Sequence, residues 1–81
     1  MKIPRNLKGL HLIQVLSKSW DYQIVNQEGS HVILETEIPT HHHLCIPDHN
    51  PLRIGTLNSI LGAVSRHKGV SKQDILNSLK E

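Results

Sequence analysis

The chain has 81 residues, with no Phe, one Trp, one Tyr and one Cys. This length fits one small domain with a core of Leu, Ile and Val, and a single Cys excludes the internal disulfide framework of small secreted domains. The net charge of +2 is unevenly distributed, because residues 19–52 contain no Lys or Arg but five of the seven acidic residues and five of the seven histidines. If the partner is a nucleic acid, we expect its phosphates at the two ends of the chain.

The sequence offers no sign of export or of membrane insertion. It has no charged and then apolar N-terminal signal, and no apolar run of about 18 residues. We therefore expect a cytoplasmic protein with no membrane partner, folded as one domain over residues 1–81. Residues 1–8 are polar, contain Pro4, and are expected to form an irregular N-terminal arm.

The first regular element is predicted to be an amphipathic helix at residues 9–18. Leu10, Ile13 and Leu16 recur at three- and four-residue spacing, which places them on one face of a helix. His11 falls toward the polar side, where an exposed histidine without a chemical role is the ordinary outcome. Trp20 and Tyr22 follow, and we expect them to fill the contact between helix and sheet, with base stacking as the alternative.

A tight hairpin is predicted where Glu28 and Gly29 separate two apolar segments, residues 22–25 and 32–34. Gly readily takes the positive φ that a strand-reversing turn needs. The second strand is predicted at residues 30–38, and His31 lies near its start. A strand histidine is usually a surface residue, but its ordinary pKa of about 6.5 also makes it the side chain best suited to proton transfer near neutral pH.

Residues 40–47 predict a third strand and include the run of three histidines at positions 41–43. Alternation places Leu44 and Ile46 in the core, and His43 and Cys45 on the opposite face, near His31 of the neighbouring strand. Imidazole and thiolate groups suit zinc or copper. The spacing matches no established structural zinc pattern, so we expect a solvated, histidine-rich loop end and no metal or other cofactor.

Two helices complete the prediction. Apolar residues at helical spacing follow Thr56, the expected N-cap, and Gly69 stops that helix. Ser71 and Asp74 resemble a capping box that opens a short helix over residues 71–80. The fold class is therefore α+β, with the order helix, three antiparallel strands, helix, helix. Seven residues are expected to be buried: Leu12, Leu16, Val32, Leu44, Ile46, Leu57 and Leu61.

Five short motifs in this order resemble the HicA toxins. They are Gly9, Tyr22, Gly29-Ser30-His31, Ile46-Pro47-Asp48-His49 and the segment Gly55-Thr56-Leu57-Asn58-Ser59-Ile60-Leu61. The resemblance runs from about residue 9 to residue 64. It implies an α-β-β-β-α fold of the double-stranded-RNA-binding type. It also implies a toxin of a type II toxin–antitoxin system that cleaves mRNA without a metal and is held inactive by a HicB-like antitoxin.

The resemblance assigns the essential histidine to His31, and it maps the histidine of the Pro-x-His segment onto His49 as a second catalytic candidate. RNA carries its own nucleophile, the 2′-OH, so cleavage needs a base, an acid for the leaving oxygen and positive charge near the phosphate. His31 is the candidate base, and His49 or His43 the candidate acid. Candidates for RNA contacts are Lys8, Ser30, Arg53 and Arg66.

A second hypothesis stays open, namely a non-catalytic RNA- or protein-binding module on the same fold. In that case the Gly-Ser-His sequence at residues 29–31 serves the structure alone. No Ser-His-Asp order and no Gly-rich phosphate loop is present, so other hydrolases and nucleotide-binding enzymes find no support.

Overall fold

The computed structural model describes residues 3–80. Its elements follow the order α-β-β-β-α-α, and the three strands form one antiparallel sheet in the order β1-β2-β3, which confirms the predicted α+β fold. The helices are α1 (Gly9–Ser19), α2 (Ile54–Lys68) and α3 (Lys72–Ser78), and the strands are β1 (Gln23–Glu28), β2 (His31–Thr36) and β3 (His42–Pro47).

The hairpin between β1 and β2 has its two turn residues at Gly29 and Ser30. Gly29 has a φ of 61°, and Glu28 pairs directly with His31. The second strand ends at Thr36, two residues earlier than predicted. The Thr36 hydroxyl accepts a hydrogen bond from the amide of Ile38 at 3.2 Å, which turns the chain out of the sheet.

The core lies between the helices and one face of the sheet. β2 and β3 alternate between buried and more exposed positions, as expected for strands with one covered face. All seven residues predicted to be buried are buried, together with Tyr22, Leu34 and residues from all three helices. Trp20 packs partly against this core, and its indole N–H donates to the Ser78 hydroxyl at 2.9 Å, so it contacts α3.

The first strand departs from the prediction. Ile24 and Val25 were expected to be part of an apolar strand, yet they are 55% and 48% exposed. β1 lies at the edge of the sheet, and its register with β2 shifts between Ile24 and Asn26, which leaves Val25 in a bulge. Edge position and bulge together explain why its apolar residues lie outside the core.

The helix ends follow the sequence with one correction. α2 begins at Ile54 with Arg53 at the N-cap, and not with Thr56 as predicted. Its C-cap is Gly69 in the left-handed conformation, which a glycine adopts without strain. The capping box of α3 is present, since the Ser71 side chain accepts from the Asp74 amide and the Asp74 side chain accepts from the Ser71 amide.

The start of α1 is packed closely against the chain that leaves β3. The Gly9 amide donates to the carbonyl of His49 at 2.8 Å, and the Leu52 amide donates to the carbonyl of Leu7 at 2.7 Å. A Cβ at residue 9 would collide with the carbonyl oxygen of Pro47. Only glycine allows this approach, which fixes the segment after β3 against α1.

Residues 3–8 contain no helix or strand, yet Ile3 and Leu7 pack against the core. Within residues 3–80, no helix combines the length and the apolar character that a membrane crossing requires.

Candidate active site

His31 lies on the sheet at the first position of β2. Its side chain is exposed, while the neighbouring Val32 is 5% exposed and belongs to the core. In the sheet register His31 stands between Glu28 of β1 and Pro47 of β3. The imidazole therefore belongs to the open face of a rigid strand, where an extended ligand has access.

A single hydrogen bond brings the segment after β3 beside the hairpin turn. The Asp48 amide donates to the carbonyl of Ser30 at 2.6 Å. This bond continues the pairing of β2 with β3 by one residue on each strand and places His49 at the same end of the sheet as His31. His49 is exposed, and its own carbonyl is held by Gly9 of α1.

Basic residues of the described part of the chain lie at this end of the molecule, and two of them adjoin the segment after β3. Lys8 occupies the N-cap of α1, next to the Gly9–His49 bond, and Arg53 occupies the N-cap of α2, next to Leu52. Both side chains are exposed. We name the group formed by Lys8, Ser30, His31, His49 and Arg53 the histidine corner.

The N-termini of α1 and α2 add positive potential to the histidine corner. Neither helix has an acidic residue in its first turn, and within residues 3–80 neither has a side-chain cap. The first amides of a helix carry a partial positive charge and commonly bind phosphate. The corner thus combines two imidazoles with two cationic side chains and two helix N-termini.

Arg66 is not part of the histidine corner. It lies thirteen residues beyond Arg53 in α2, about 20 Å along the helix at 1.5 Å per residue. A Cβ added at Gly62 would lie 3.2 Å from the guanidinium of Arg66 and 3.5 Å from the side chain of Lys72, so both side chains lie over Gly62. The structure therefore places Arg66 with the other end of α2.

His43 does not lie beside His31, contrary to the expectation from the sequence. It pairs with Glu35, four residues from His31 along β2, which corresponds to about 13 Å. Cys45 pairs with Ile33 and is closer. The combination of His31, His43 and Cys45 considered for zinc or copper therefore spans too great a distance for one ion, and His43 is not positioned as the acid that complements His31.

A polar cluster at the opposite end of the sheet was missed by the sequence reasoning. The Tyr22 hydroxyl and His42 Nδ1 share a hydrogen bond at 2.9 Å, and the rings of His42 and His67 stack with centroids 4.4 Å apart. Lys68 Nζ donates to the Thr36 hydroxyl at 3.0 Å. The signal available in the sequence was strand alternation, which puts His42 on the same face as the buried Leu44 and Ile46.

Burial controls the protonation of this cluster. It raises the pKa of Tyr22 to about 12. It also lowers the pKa of His42, and the positive charge of His67 lowers it further. Lys68 likewise has its pKa lowered by burial. These groups hydrogen-bond one another or the backbone, so the cluster ties α2 to β3 and to the β2–β3 connection.

The model of the family described as the HicA toxin of bacterial toxin–antitoxin matches residues 11–69, which is most of the chain. No curated protein and no solved structure matches this chain significantly. The matched residues contain all three strands, the Gly-Ser-His turn, His49 and α2. The chain therefore belongs to the HicA toxin family of bacterial toxin–antitoxin systems.

Proposed function

We propose that this chain is an endoribonuclease toxin, an mRNA interferase that uses His31 and His49 without a metal. The observation that carries the proposal is the hydrogen bond between Asp48 and Ser30, which aligns the two histidine-bearing segments at one end of the sheet. A base and an acid on the same exposed corner are what cleavage of RNA by its own 2′-OH requires.

The proposed reaction begins at the 2′-OH. The neutral imidazole of His31 takes the proton from this hydroxyl, and the 2′-oxygen attacks the adjacent phosphorus. The bond from phosphorus to the 5′-oxygen breaks, and the imidazolium of His49 donates a proton to that oxygen. The products are a 2′,3′-cyclic phosphate and a free 5′-OH, so atoms and protons balance without a metal or a redox partner.

Negative charge builds on the phosphate oxygens during this step. Arg53 and Lys8, at the N-caps of α2 and α1, are the cations in the histidine corner, and the Ser30 hydroxyl is a further hydrogen-bond donor at the turn. Donors that are already held in place stabilise the charge of the transition state more than water molecules do, because they need not reorient during the reaction. Arg66 would contact RNA only along a longer path over the surface of α2.

The partner proposed for this toxin is a HicB-like antitoxin. Membership of a toxin–antitoxin family implies that an antitoxin exists, and covering the histidine corner would stop the access of RNA most directly. A specific interface of this kind buries on the order of 1,200–2,000 Å². The proposed site of action is the cytoplasm, where mRNA is found.

One observation favours the second candidate function, a non-catalytic RNA- or protein-binding module. Glu28 is the register partner of His31 and is exposed, so a carboxylate stands directly beside the proposed base. That charge repels a phosphate and opposes RNA binding at His31. In a protein-binding module the same carboxylate would pair with a cation of the partner.

Incubation of the purified protein with end-labelled RNA separates the two functions. We expect wild-type protein to leave cyclic phosphate ends, and His31→Ala to lower the cleavage rate by about 10²–10⁴-fold while RNA binding persists. His49→Ala should lower the rate by a smaller factor. His41→Ala is the matched control, since His41 is exposed at the other end of the sheet. Absence of cleavage by wild-type protein that still binds RNA or a protein partner would favour the binding module, whereas equal measurable rates for wild type and His31→Ala would assign cleavage to other residues.

A further inference from the structure

The three consecutive histidines do not act as one group. His42 is directed to the core side, where it contacts Tyr22 and stacks on His67. His41 and His43 are exposed, and His43 shares the open face of the sheet with its register partner Glu35. The proposed ribonuclease mechanism uses none of the three, so the role of the two outward imidazoles requires its own explanation.

Two carboxylates lie beside the outward imidazoles. Ligand atoms of Glu35, Glu37 and His41 all lie within 4.8 Å of one another. His41 Nδ1 already contacts Glu37 Oε2 at 2.7 Å. His43 stands directly opposite Glu35, and such cross-strand partners have Cβ atoms about 4.5–5.5 Å apart. One imidazole and two carboxylates therefore converge where β2 leaves the sheet and β3 enters it, and His43 stands opposite Glu35 just outside this group.

We propose that Glu35, Glu37 and His41 form a binding site for a divalent cation of the zinc class, which His43 completes by rotation of its exposed side chain. Imidazole nitrogen together with carboxylate oxygen is the donor set that suits zinc and its first-row neighbours, whereas calcium and magnesium favour oxygen ligands alone. The site is separate from the histidine corner by four residues along β2, and its existence does not depend on the ribonuclease proposal.

The distances among Glu35, Glu37 and His41 are within reach of one ion after small movements of their side chains. Ligand atoms bound to one tetrahedral zinc ion at about 2.0 Å lie about 3.3 Å apart. The contact between His41 and Glu37 would thus open by a few tenths of an ångström as the ion replaces the shared proton. Glu35 Oε closes the remaining distance through side-chain rotation, because Glu35 is only partly buried and Glu37 and His41 are exposed.

The surroundings add negative potential to the site. Glu35 and Glu37 also line a cleft of about 340 Å³, and Asp21 contributes a third carboxylate to its wall. Lys68, a basic residue in the last turn of α2, is already bonded to the Thr36 hydroxyl and the Ile38 carbonyl. A bound cation would join the end of β2 to the start of β3 across the connecting residues 37–41.

Titration of the metal-free protein with zinc chloride, followed by isothermal calorimetry in a non-chelating buffer, tests this proposal. We expect one ion per chain and a rise in melting temperature, because a ligand that binds the folded state stabilises it. Glu37→Gln should weaken binding at least ten-fold and remove the rise. Glu28→Gln is the matched control, because it removes an exposed carboxylate at the other end of the sheet.

A double variant, His41→Gln with His43→Gln, tests the nitrogen donors, and circular dichroism establishes that it is folded. Loss of zinc binding in this variant supports the site. Undiminished zinc binding in the double variant would assign the ion to other histidines and overturn the proposal. Equal zinc affinities for Glu37→Gln and Glu28→Gln would also overturn it, as would no binding to wild type at a 100-fold molar excess of zinc. Magnesium chloride should give no heat, because the ion needs oxygen ligands in octahedral geometry.

Discussion

The imidazole rings of His42 and His67 stack 4.4 Å apart at an interplanar angle of 21°, which joins the start of β3 to the last turn of α2. Each of the two rings also makes a hydrogen bond to another residue. Tyr22 shares a hydrogen bond with His42, and His67 Nε2 lies 2.9 Å from the carbonyl oxygen of Thr40. Two cationic rings at this distance repel each other, so the arrangement favours at least one neutral imidazole.

Acidification should weaken the fold through His42. Burial and the nearby charges of His67, His43, Lys68 and His41 hold its pKa below the ordinary value of 6.5. The stability that neutral His42 contributes is therefore fully present above the unfolded pKa of about 6.5. It is lost as the pH falls from there through the lowered pKa of the folded chain, because the unfolded chain binds the proton at the higher pH. We expect the melting temperature to fall between pH 7.5 and pH 5.5.

The comparison with His42→Gln isolates this effect from other histidines. His41 shifts in the opposite sense, since its hydrogen bond to Glu37 raises its pKa, and that contribution is kept in the variant. On acidification, the melting temperature of the variant should fall by fewer degrees than the melting temperature of wild type. An equal or greater loss in the variant would show that the stacked pair is not the source of the pH dependence.

Gly9→Ala should destabilise the protein by about 1–3 kcal/mol, the range for adding a methyl group to a filled space. The added Cβ would meet the backbone of Pro47 and of His49, neither of which moves as freely as a side chain. Gly55→Ala is the control, because a Cβ at that position of α2 meets no atom within 4 Å. Chemical denaturation should give the control equal stability or a gain of about 0.5–1 kcal/mol. If Gly9→Ala lowers the free energy of unfolding by no more than Gly55→Ala does, the close packing of α1 against the segment after β3 is contradicted.

Arg53→Gln should weaken RNA binding more than Arg66→Gln does. Arg53 lies in the histidine corner, whereas Arg66 lies about 20 Å along α2. The logarithm of the RNA association constant falls linearly with the logarithm of the salt concentration. Loss of one phosphate contact should make this slope less steep by about 0.7 for single-stranded RNA. Fluorescence anisotropy with labelled RNA over a series of salt concentrations measures both quantities. Equal slopes for the two variants would place the RNA path along α2.

RNA cleavage should persist in EDTA. The proposed mechanism moves protons between two imidazoles and the RNA, and the proposed cation site is four residues away from His31 along β2. The cleavage rate in EDTA should equal the rate in buffer alone, measured at a temperature where the metal-free protein is fully folded. Loss of activity with chelator and its return with zinc would instead assign the cation a role in cleavage.

Periodicity in the sequence was sufficient for the elements and the core. Leu12, Leu16, Leu57 and Leu61 follow the helical period, and the hairpin at Gly29 follows from the need for a positive φ. These features depend on residues close together in the chain, and local physics determines them.

The site required information that local patterns do not contain. Strand alternation gave the face of His43 but not its partner, because the register of β2 with β3 depends on the connection at residues 37–41 and on the Asp48–Ser30 bond. Only the family resemblance placed His49 with His31. Glu35 and Glu37 were missed as neighbours of the outward histidines, because the contact of Glu37 with His41 depends on the path of the connection at residues 37–41 and the pairing of Glu35 with His43 depends on register.

The contact of Gly9 with the Pro47–His49 segment also bears on synthesis of the protein. Residues of the histidine corner extend from Lys8 to Arg53, and the bonds that align them join α1, the hairpin and the segment after β3. A ribosome must therefore release more than half of the chain before the corner is complete. Nascent chains that end before Arg53 lack the histidine corner, so the proposed ribonuclease site can assemble only after α1, the hairpin and the segment after β3 have all been synthesised.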